Sequence, residues 1–223
     1  MDPISIAAAL VAERFPEALA AFLGGSVLTA ARTATTDLDI VVIRPDGHDT
    51  FRETLRYENW PVELFVSTPT TYGRFLEREI AVRASPLLHM VGHGVILTGL
   101  DGIATRMHSE AIQRINQGPP PATTQQVEDL HYRLSDLLDD LDGATDPDET
   151  TVIATAVLTS TAELALTIAG QWLAGGSGSA AACAPPITTC TPRCSPPFAP
   201  PQAATRASYE PSLTGSSTGP EDG

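Results

Sequence analysis

The chain has 223 residues, of which 42% are hydrophobic, enough to bury the core of one medium domain or two small ones. All 13 basic residues are arginine, 27 residues are acidic, and the formal net charge at pH 7 is -14. Proteins that bind nucleic acid backbones usually cluster Lys and Arg to neutralise the phosphates. The charge therefore argues against a long nucleic acid as the partner.

The first fifteen residues and the most apolar segment favour a cytoplasmic protein. The first fifteen residues have no basic region, and their apolar run is interrupted by Glu13 and Arg14, so a secretory signal is not predicted. Residues 152–169 are the longest apolar stretch, but they include Glu163 and have no flanking Lys or Arg. We interpret this stretch as a buried helix and not as a membrane span.

The first hundred residues mix helical and strand patterns, which predicts an α+β domain. Residues 37–43 are rich in β-branched side chains and form the clearest strand, and Pro61 marks the start of the second strand of a hairpin. The predicted elements are, in chain order, a helix over 3–14, a strand over 19–23, a small helix after Ser26, strands over 37–43, 51–57 and 62–67, a helix over 70–83 and a strand over 94–98.

After Asp101 and Gly102 the pattern is helical only. Helices are predicted over 103–117, 123–141 and 149–173, with Gly and Pro clusters between them. We therefore divide the chain into an α+β domain over 1–102, a helical domain over 103–173 and a tail over 174–223.

The tail is rich in Gly, Ser, Ala, Thr and Pro and shows no periodicity, so we expect it to be disordered. Its composition also suggests a frameshifted reading of the gene or an acquired linker. The three cysteines of the chain all lie here, odd in number and without a CxxC pair, which predicts neither a zinc site nor a disulfide framework. They are Cys183, Cys190 and Cys194.

Two carboxylates stand at alternate positions of the clearest strand. Asp37 and Asp39 are two residues apart, so their side chains leave the same face of the sheet. Glu63 is the one acidic residue inside another apolar strand, which makes it the natural third member of the group. Converging carboxylates of this kind hold the two divalent cations that nucleotidyl transfer needs.

A glycine turn precedes these carboxylates. Gly24 and Gly25 would let the backbone approach a phosphate closely, and the following N-H groups with the Ser26 hydroxyl could bind the β and γ phosphates. Arg32 is a candidate to help neutralise the triphosphate.

Taken together, Leu23-Gly24-Gly25-Ser26, ten further residues and Asp37-Leu38-Asp39-Ile40 resemble the motif of the DNA polymerase beta superfamily of nucleotidyltransferases. The resemblance covers about residues 1–100. The helical part after it is similar to that of small bacterial nucleotidyltransferases, including those that modify aminoglycosides. It implies a mixed sheet flanked by helices, followed by a helical C-terminal part.

The resemblance also implies roles for the residues. Asp37 and Asp39 bind both Mg²⁺ ions, Glu63 binds the ion nearer the acceptor, and Gly25 and Ser26 hold the triphosphate tail. The expected activity is transfer of NMP, with ATP the favoured donor, to a hydroxyl of a small molecule or a protein. The alternatives are an antitoxin-type protein that binds or adenylylates a helical toxin, and a non-catalytic nucleotide-binding module. The acceptor, the base preference and the oligomeric state have no marker in the sequence.

Other polar groups have simpler interpretations. His89 and His93 are four residues apart without a nearby carboxylate, which favours a structural or surface role over a metal site. Glu163 is interpreted as an exposed helix residue, with a role as acceptor-site base the alternative. The acidic run over 136–149 is interpreted as a solvated face with N-cap residues, with docking of a cationic acceptor the alternative. Packing is expected for both tryptophans, Trp60 and Trp172.

Overall fold

Five strands form a mixed sheet in the computed structural model of the chain, which describes residues 2–30 and 32–173. The strand order is β3-β4-β2-β1-β5; β2 and β4 are parallel, and the other neighbouring pairs are antiparallel. The predicted mixed sheet with flanking helices is therefore confirmed, while the predicted tail and its cysteines lie outside the described residues. The strands are β1 (Ala20–Gly24), β2 (Leu38–Ile43), β3 (Phe51–Tyr57), β4 (Trp60–Ser67) and β5 (Val95–Gly99).

Five of the six described α-helices begin at side chains that accept backbone N-H groups, which satisfies donors that a first helical turn leaves free. Asp2, Thr68, Ser85, Thr123 and Asp146 are these N-caps. The N-cap role expected within the acidic run is thus confirmed at Asp146. The helices are α1 (Pro3–Arg14), α2 (Pro69–Ala81), α3 (Pro86–Gly92), α4 (Ile103–Gln117), α5 (Thr124–Gly143) and α6 (Pro147–Ile168).

Three elements differ from the sequence prediction, and one of them is the last helix, which was predicted to reach residue 173 but ends at Ile168. The small helix after the glycine turn is a single 3₁₀ turn, Ser26–Leu28. The seven-residue α3 was not among the predicted elements, because it is too short to show a helical period and is followed by Gly94.

The sheet buries both of its faces, and the two faces have different covers. Leu38, Ile40 and Val42 pack in one cluster with α1, whereas Val41 and Ile43 pack in another with α2, α3 and α4. This alternation follows from the two-residue period of a strand. Asp39 shares its face with Val41, so the candidate carboxylates lie on the side of α2, α3 and α4.

The first helix after the predicted domain boundary packs against the sheet. Ala104 and Ala111 of α4 are buried with Phe22 of β1 in the second cluster. The boundary at Asp101 and Gly102 thus falls where the last strand ends, and as a domain boundary it stays a prediction.

The most apolar helix is less buried than its sequence predicts. By length and composition α6 could cross a membrane, yet only 28% of its most apolar 18-residue window is buried. It pairs with α5, and Val152 and Leu158 are each 70% exposed. The prediction of a buried helix is therefore wrong for most of α6, whose buried residues all lie in its second half, from Ser160 onward.

A buried arginine joins three separate segments. Arg83 follows α2 and is 5% exposed, and its guanidinium donates hydrogen bonds to the carbonyl oxygens of Pro120, Thr167 and Gln171. The Leu173 N-H donates to the Arg83 carbonyl oxygen at 2.8 Å. The end of α6 and the loop before α5 are thereby held to the end of α2.

We expect the Arg83→Ala substitution to lower the free energy of unfolding by roughly 2–3 kcal/mol, because it removes the buried guanidinium that donates to all three carbonyl oxygens. Chemical denaturation measures the change. The exposed Arg74 of α2 provides the control, since Arg74→Ala should change stability by less than about 0.5 kcal/mol. Equal effects of the two substitutions would contradict the joining role of Arg83.

Candidate metal and nucleotide site

The three predicted carboxylates converge at one end of the two central strands. Asp39 of β2 is in register with Glu63 of β4, and Asp37 stands one residue before β2. One carboxylate oxygen of each residue lies within 4.8 Å of the others. Three hard oxygen ligands at this separation suit Mg²⁺ or Mn²⁺. We refer to Asp37, Asp39 and Glu63 as the acidic triad.

Backbone register and a short loop explain this convergence. Parallel pairing of β2 with β4 brings equivalent ends of the two strands together, so residues on the same face become neighbours. The loop before Asp37 is fixed by the buried Thr36, whose Oγ1 accepts the Thr33 N-H at 2.8 Å. Asp37 is therefore presented from an ordered turn.

The triad raises the pKa of its central member. The pKa of Asp39 is raised from 3.8 to about 6, first by burial and then by the negative charges of Asp37 and Glu63. A cation bound among the three carboxylates would oppose both effects, because it favours the ionised form. The triad is thus electrostatically costly by itself and suited to a divalent cation.

An arginine that the sequence analysis did not single out contacts the triad. The Arg52 Nε donates to the Glu63 Oε1 at 2.5 Å, and its guanidinium carbon lies 4.7 Å from the centre of the Phe65 ring. Its charge also acts to lower the Asp39 pKa. The two-residue period of a strand could have placed Arg52 on the same face as Glu63, because Arg52 is two residues from Thr54, which pairs with Glu63.

The glycine turn lies directly against the triad. Gly24 is in register with Asp39, and Gly25 has φ of 82° and ψ of -174°, a conformation that essentially only glycine adopts. A Cβ on Gly25 would stand 2.1 Å from the Asp39 Oδ2. The backbone of the turn and the carboxylate of β2 therefore border the same space.

Ser26 and Arg32 are the other residues predicted to contact the nucleotide, and in the described part of the chain no hydrogen bond or ion pair joins either of them to the acidic triad. Ser26 is exposed and begins the 3₁₀ turn, so the helix dipole at this point is smaller than a full helix would give. The Arg32 guanidinium lies 5.0 Å from the centre of the Trp60 ring, at the first residue of β4. Their roles toward a triphosphate stay predictions.

The other polar residues considered from the sequence contact neighbouring side chains. The rings of His89 and His93 are 5.3 Å apart, and His89 meets Trp172 edge to face at 6.0 Å. Glu163 is paired with Arg133 of α5. Within the described part of the chain, the acidic triad is the group of three or more His, Cys, Asp or Glu whose ligand atoms approach closely enough for a metal.

Comparison with solved structures gives a distant similarity. The chain is similar to the crystal structure of a nucleotidyltransferase-like protein from Exiguobacterium sibiricum, with 16% sequence identity and a TM-score of 0.43. The similarity covers 76% of this chain and 59% of that one, so the chain spans about three fifths of that protein's length. No protein-family model and no curated protein matches the chain. The chemistry of the site therefore has to be argued from its own side chains.

Proposed function

We propose that the protein is a Mg²⁺-dependent nucleotidyltransferase that transfers NMP, with ATP the favoured donor, to a hydroxyl group and releases pyrophosphate. One observation carries the proposal. The acidic triad and the Gly25 backbone border the same space, so cations on the carboxylates would lie beside a turn that can accept a polyphosphate. A carboxylate cluster without such a turn would suggest a metal site but no donor substrate.

The sheet order gives the site a direction. Across the sheet, the glycine turn of β1 is followed by Asp39 of β2, then Glu63 of β4, then β3. The β and γ phosphates would lie on the β1 side, with the α phosphate over the triad. The acceptor would then approach from the side of β4 and β3.

In this arrangement each residue has a simple task. The triad would hold two Mg²⁺ ions, which lower the pKa of the attacking hydroxyl and stabilise the leaving pyrophosphate. Gly25 leaves room for the phosphates, and Arg52 keeps Glu63 oriented through its hydrogen bond. A bond forms from the acceptor oxygen to the α phosphorus, the bond from that phosphorus to pyrophosphate breaks, and the hydroxyl proton passes to solvent.

The test incubates the purified full chain with Mg²⁺, candidate hydroxyl acceptors and ATP labelled at the γ phosphate, so that the released pyrophosphate carries the label. We expect pyrophosphate release that requires Mg²⁺ and is lost in the Asp37→Asn variant. The exposed Asp49 offers a matched control, since Asp49→Asn removes the same charge outside the triad and should leave release unchanged. ATP binding without any pyrophosphate release would point to the non-catalytic nucleotide-binding alternative instead.

A second candidate function is supported by the surface of α6. Its exposed apolar side chains favour a protein partner, as expected for an antitoxin-type nucleotidyltransferase that binds or adenylylates a helical toxin. Co-purification with the product of a neighbouring gene, and a mass increase of that product after incubation with ATP and Mg²⁺, would support it. A cytoplasmic location without membrane contact remains part of both proposals.

A further inference from the structure

A cavity lies on the same face of the sheet as the acidic triad. Its volume is about 450 Å³, in the range of pockets that hold small organic molecules. Aromatic and aliphatic side chains from β3, β4, α2 and α3 form much of its lining, and the polar lining residues are Thr50, Arg52, Ser67 and Glu79. The lining residues that matter here are Arg52, Phe65, Phe75, Glu79, Leu87 and Met90.

The cavity is next to the triad. Phe65 is the neighbour of Glu63 on the same face of β4, about 7 Å along the strand. Arg52 contacts both residues, through its hydrogen bond to Glu63 and its stacking on the Phe65 ring. A molecule in the cavity could therefore present one end to cations held by the triad.

The cavity also lies on the side from which the acceptor must come. Arg52 and Phe65 belong to β3 and β4, whereas the glycine turn that would hold the phosphates follows β1. With the phosphates on the β1 side, the cavity is left for the second substrate.

A half-buried carboxylate gives the cavity a chemical preference. The Glu79 Oε2 accepts hydrogen bonds from the Ser85 Oγ at 2.9 Å and from the Leu87 N-H at 3.1 Å, and these bonds do not use Oε1. Burial raises the Glu79 pKa. Glu79 is in none of the salt bridges of residues 2–30 and 32–173. Such a group is stabilised by a ligand that donates hydrogen bonds to it, and most by a cation.

We propose that this cavity binds the acceptor, and that the acceptor is a compact amine with an apolar or aromatic body and a hydroxyl at its other end. The inference rests on the proposed nucleotidyltransferase function. The ammonium group would meet Glu79, the body would lie between Phe65 and Phe75, and the hydroxyl would reach the triad. This places recognition of a cationic acceptor in the cavity and not at the acidic run between α5 and α6.

Three probes of similar shape test the proposal: tyramine, which is cationic, p-cresol, which is neutral, and 4-hydroxyphenylacetate, which is anionic. Each carries a phenolic hydroxyl. Binding is first measured by saturation-transfer NMR without nucleotide, and AMP transfer is then measured with α-labelled ATP and Mg²⁺. We expect tyramine to bind at least 10-fold more tightly than the other two and to be the best acceptor. Equal binding of the three, no binding, or preference for the anion would overturn the proposal.

Two variants locate the effect. Glu79→Gln keeps an oxygen for Ser85 and Leu87 but removes the charge, and should abolish the preference for tyramine over p-cresol. The control is Glu77→Gln, which removes the same charge from an exposed position of α2 and should preserve the preference. Phe75 is 36% exposed and lines the cavity. The larger side chain in Phe75→Trp should exclude tyramine and p-cresol from the cavity.

The outcomes separate this proposal from the proposed function. If ATP and Mg²⁺ give no pyrophosphate while tyramine binding depends on Glu79, the nucleotidyltransferase proposal fails but the amine-binding cavity stands. If pyrophosphate is released but Glu79→Gln leaves tyramine binding unchanged, the cavity proposal fails alone. Loss of ATP binding in Phe75→Trp would assign the cavity to the nucleotide and would also overturn it.

Discussion

Replacing Asp39 with asparagine is expected to abolish transfer and, at the same time, to stabilise the metal-free protein. Asp39 is the central carboxylate of the triad and lies against the glycine turn. If Asp39 holds the metal as proposed, its loss removes several kcal/mol of transition-state stabilisation, which corresponds to a rate decrease of roughly 10³-fold or more. Initial rates of pyrophosphate release under saturating ATP and Mg²⁺ measure this decrease.

The gain in stability follows from the sign of the pKa shift. The Asp39 pKa is raised in the folded protein, from 3.8 to about 6, so the folded state holds this proton more tightly than the unfolded state. The corresponding stabilisation is fully present below pH 3.8 and is lost as the pH rises through about 6. At neutral pH the ionised carboxylate therefore destabilises the folded protein. Asp39→Asn should raise the free energy of unfolding by on the order of 1 kcal/mol, a figure that allows for solvent screening.

Thermal melting in EDTA and in Mg²⁺ separates the two effects. In EDTA at pH 7 the variant should melt at a higher temperature than the wild type, and the difference should vanish below about pH 4. Added Mg²⁺ should raise the melting temperature of the wild type more than that of the variant, because ligand binding stabilises the folded state. A variant that is less stable than the wild type in EDTA would show that burial and the acidic neighbours do not destabilise the ionised Asp39 carboxylate.

The second large effect is expected from Gly25→Ala. The backbone conformation of Gly25 costs roughly 1–3 kcal/mol for a residue with a side chain. The new methyl group would also stand 2.1 Å from the Asp39 Oδ2, so the turn or the carboxylate must move. Either displacement moves the backbone proposed to bind the phosphates away from the acidic triad, and we therefore expect ATP affinity measured in Mg²⁺ by calorimetry to fall at least 10-fold.

Gly47→Ala is the matched control for backbone strain. Gly47 also has a positive φ, of 96°, but a Cβ there would meet no atom within 4 Å. The control should lose stability without losing ATP affinity. If both variants bind ATP like the wild type, the glycine turn is not the phosphate site.

The candidate site shows which residue positions local sequence patterns can predict and which they cannot. The spacing of Asp37 and Asp39 on one strand placed both on one face, and Glu63 inside an apolar strand could be identified as their partner. The strand period had the information to place Arg52 on that face as well, but its pairing depends on β3 lying next to β4 in a particular register. Register between strands depends on turns and packing and is only partly encoded in each strand.

Long-range packing explains the larger differences. The apolar composition of α6 predicted burial, but burial requires neighbours on all sides, and Val152 and Leu158 remain exposed in the described structure. Conversely, Arg83 carries a charge and would be expected at the surface, yet it is buried because three carbonyl oxygens from distant segments converge on it. Neither outcome follows from the residue's own neighbours in the sequence.

The sequence by itself determined the separate strands and helices, the strand-borne carboxylates and the glycine turn, because strand and helix periods and turn residues are local properties. The mixed sheet with its flanking helices was implied by the resemblance that the glycine and aspartate motif carries. Only the tertiary structure decided that the Gly25 backbone touches Asp39, that Arg52 holds Glu63, and that a cavity with Glu79 opens beside them. These contacts join residues far apart in the chain, and their geometry is set by strand order and helix packing, which no short segment specifies alone.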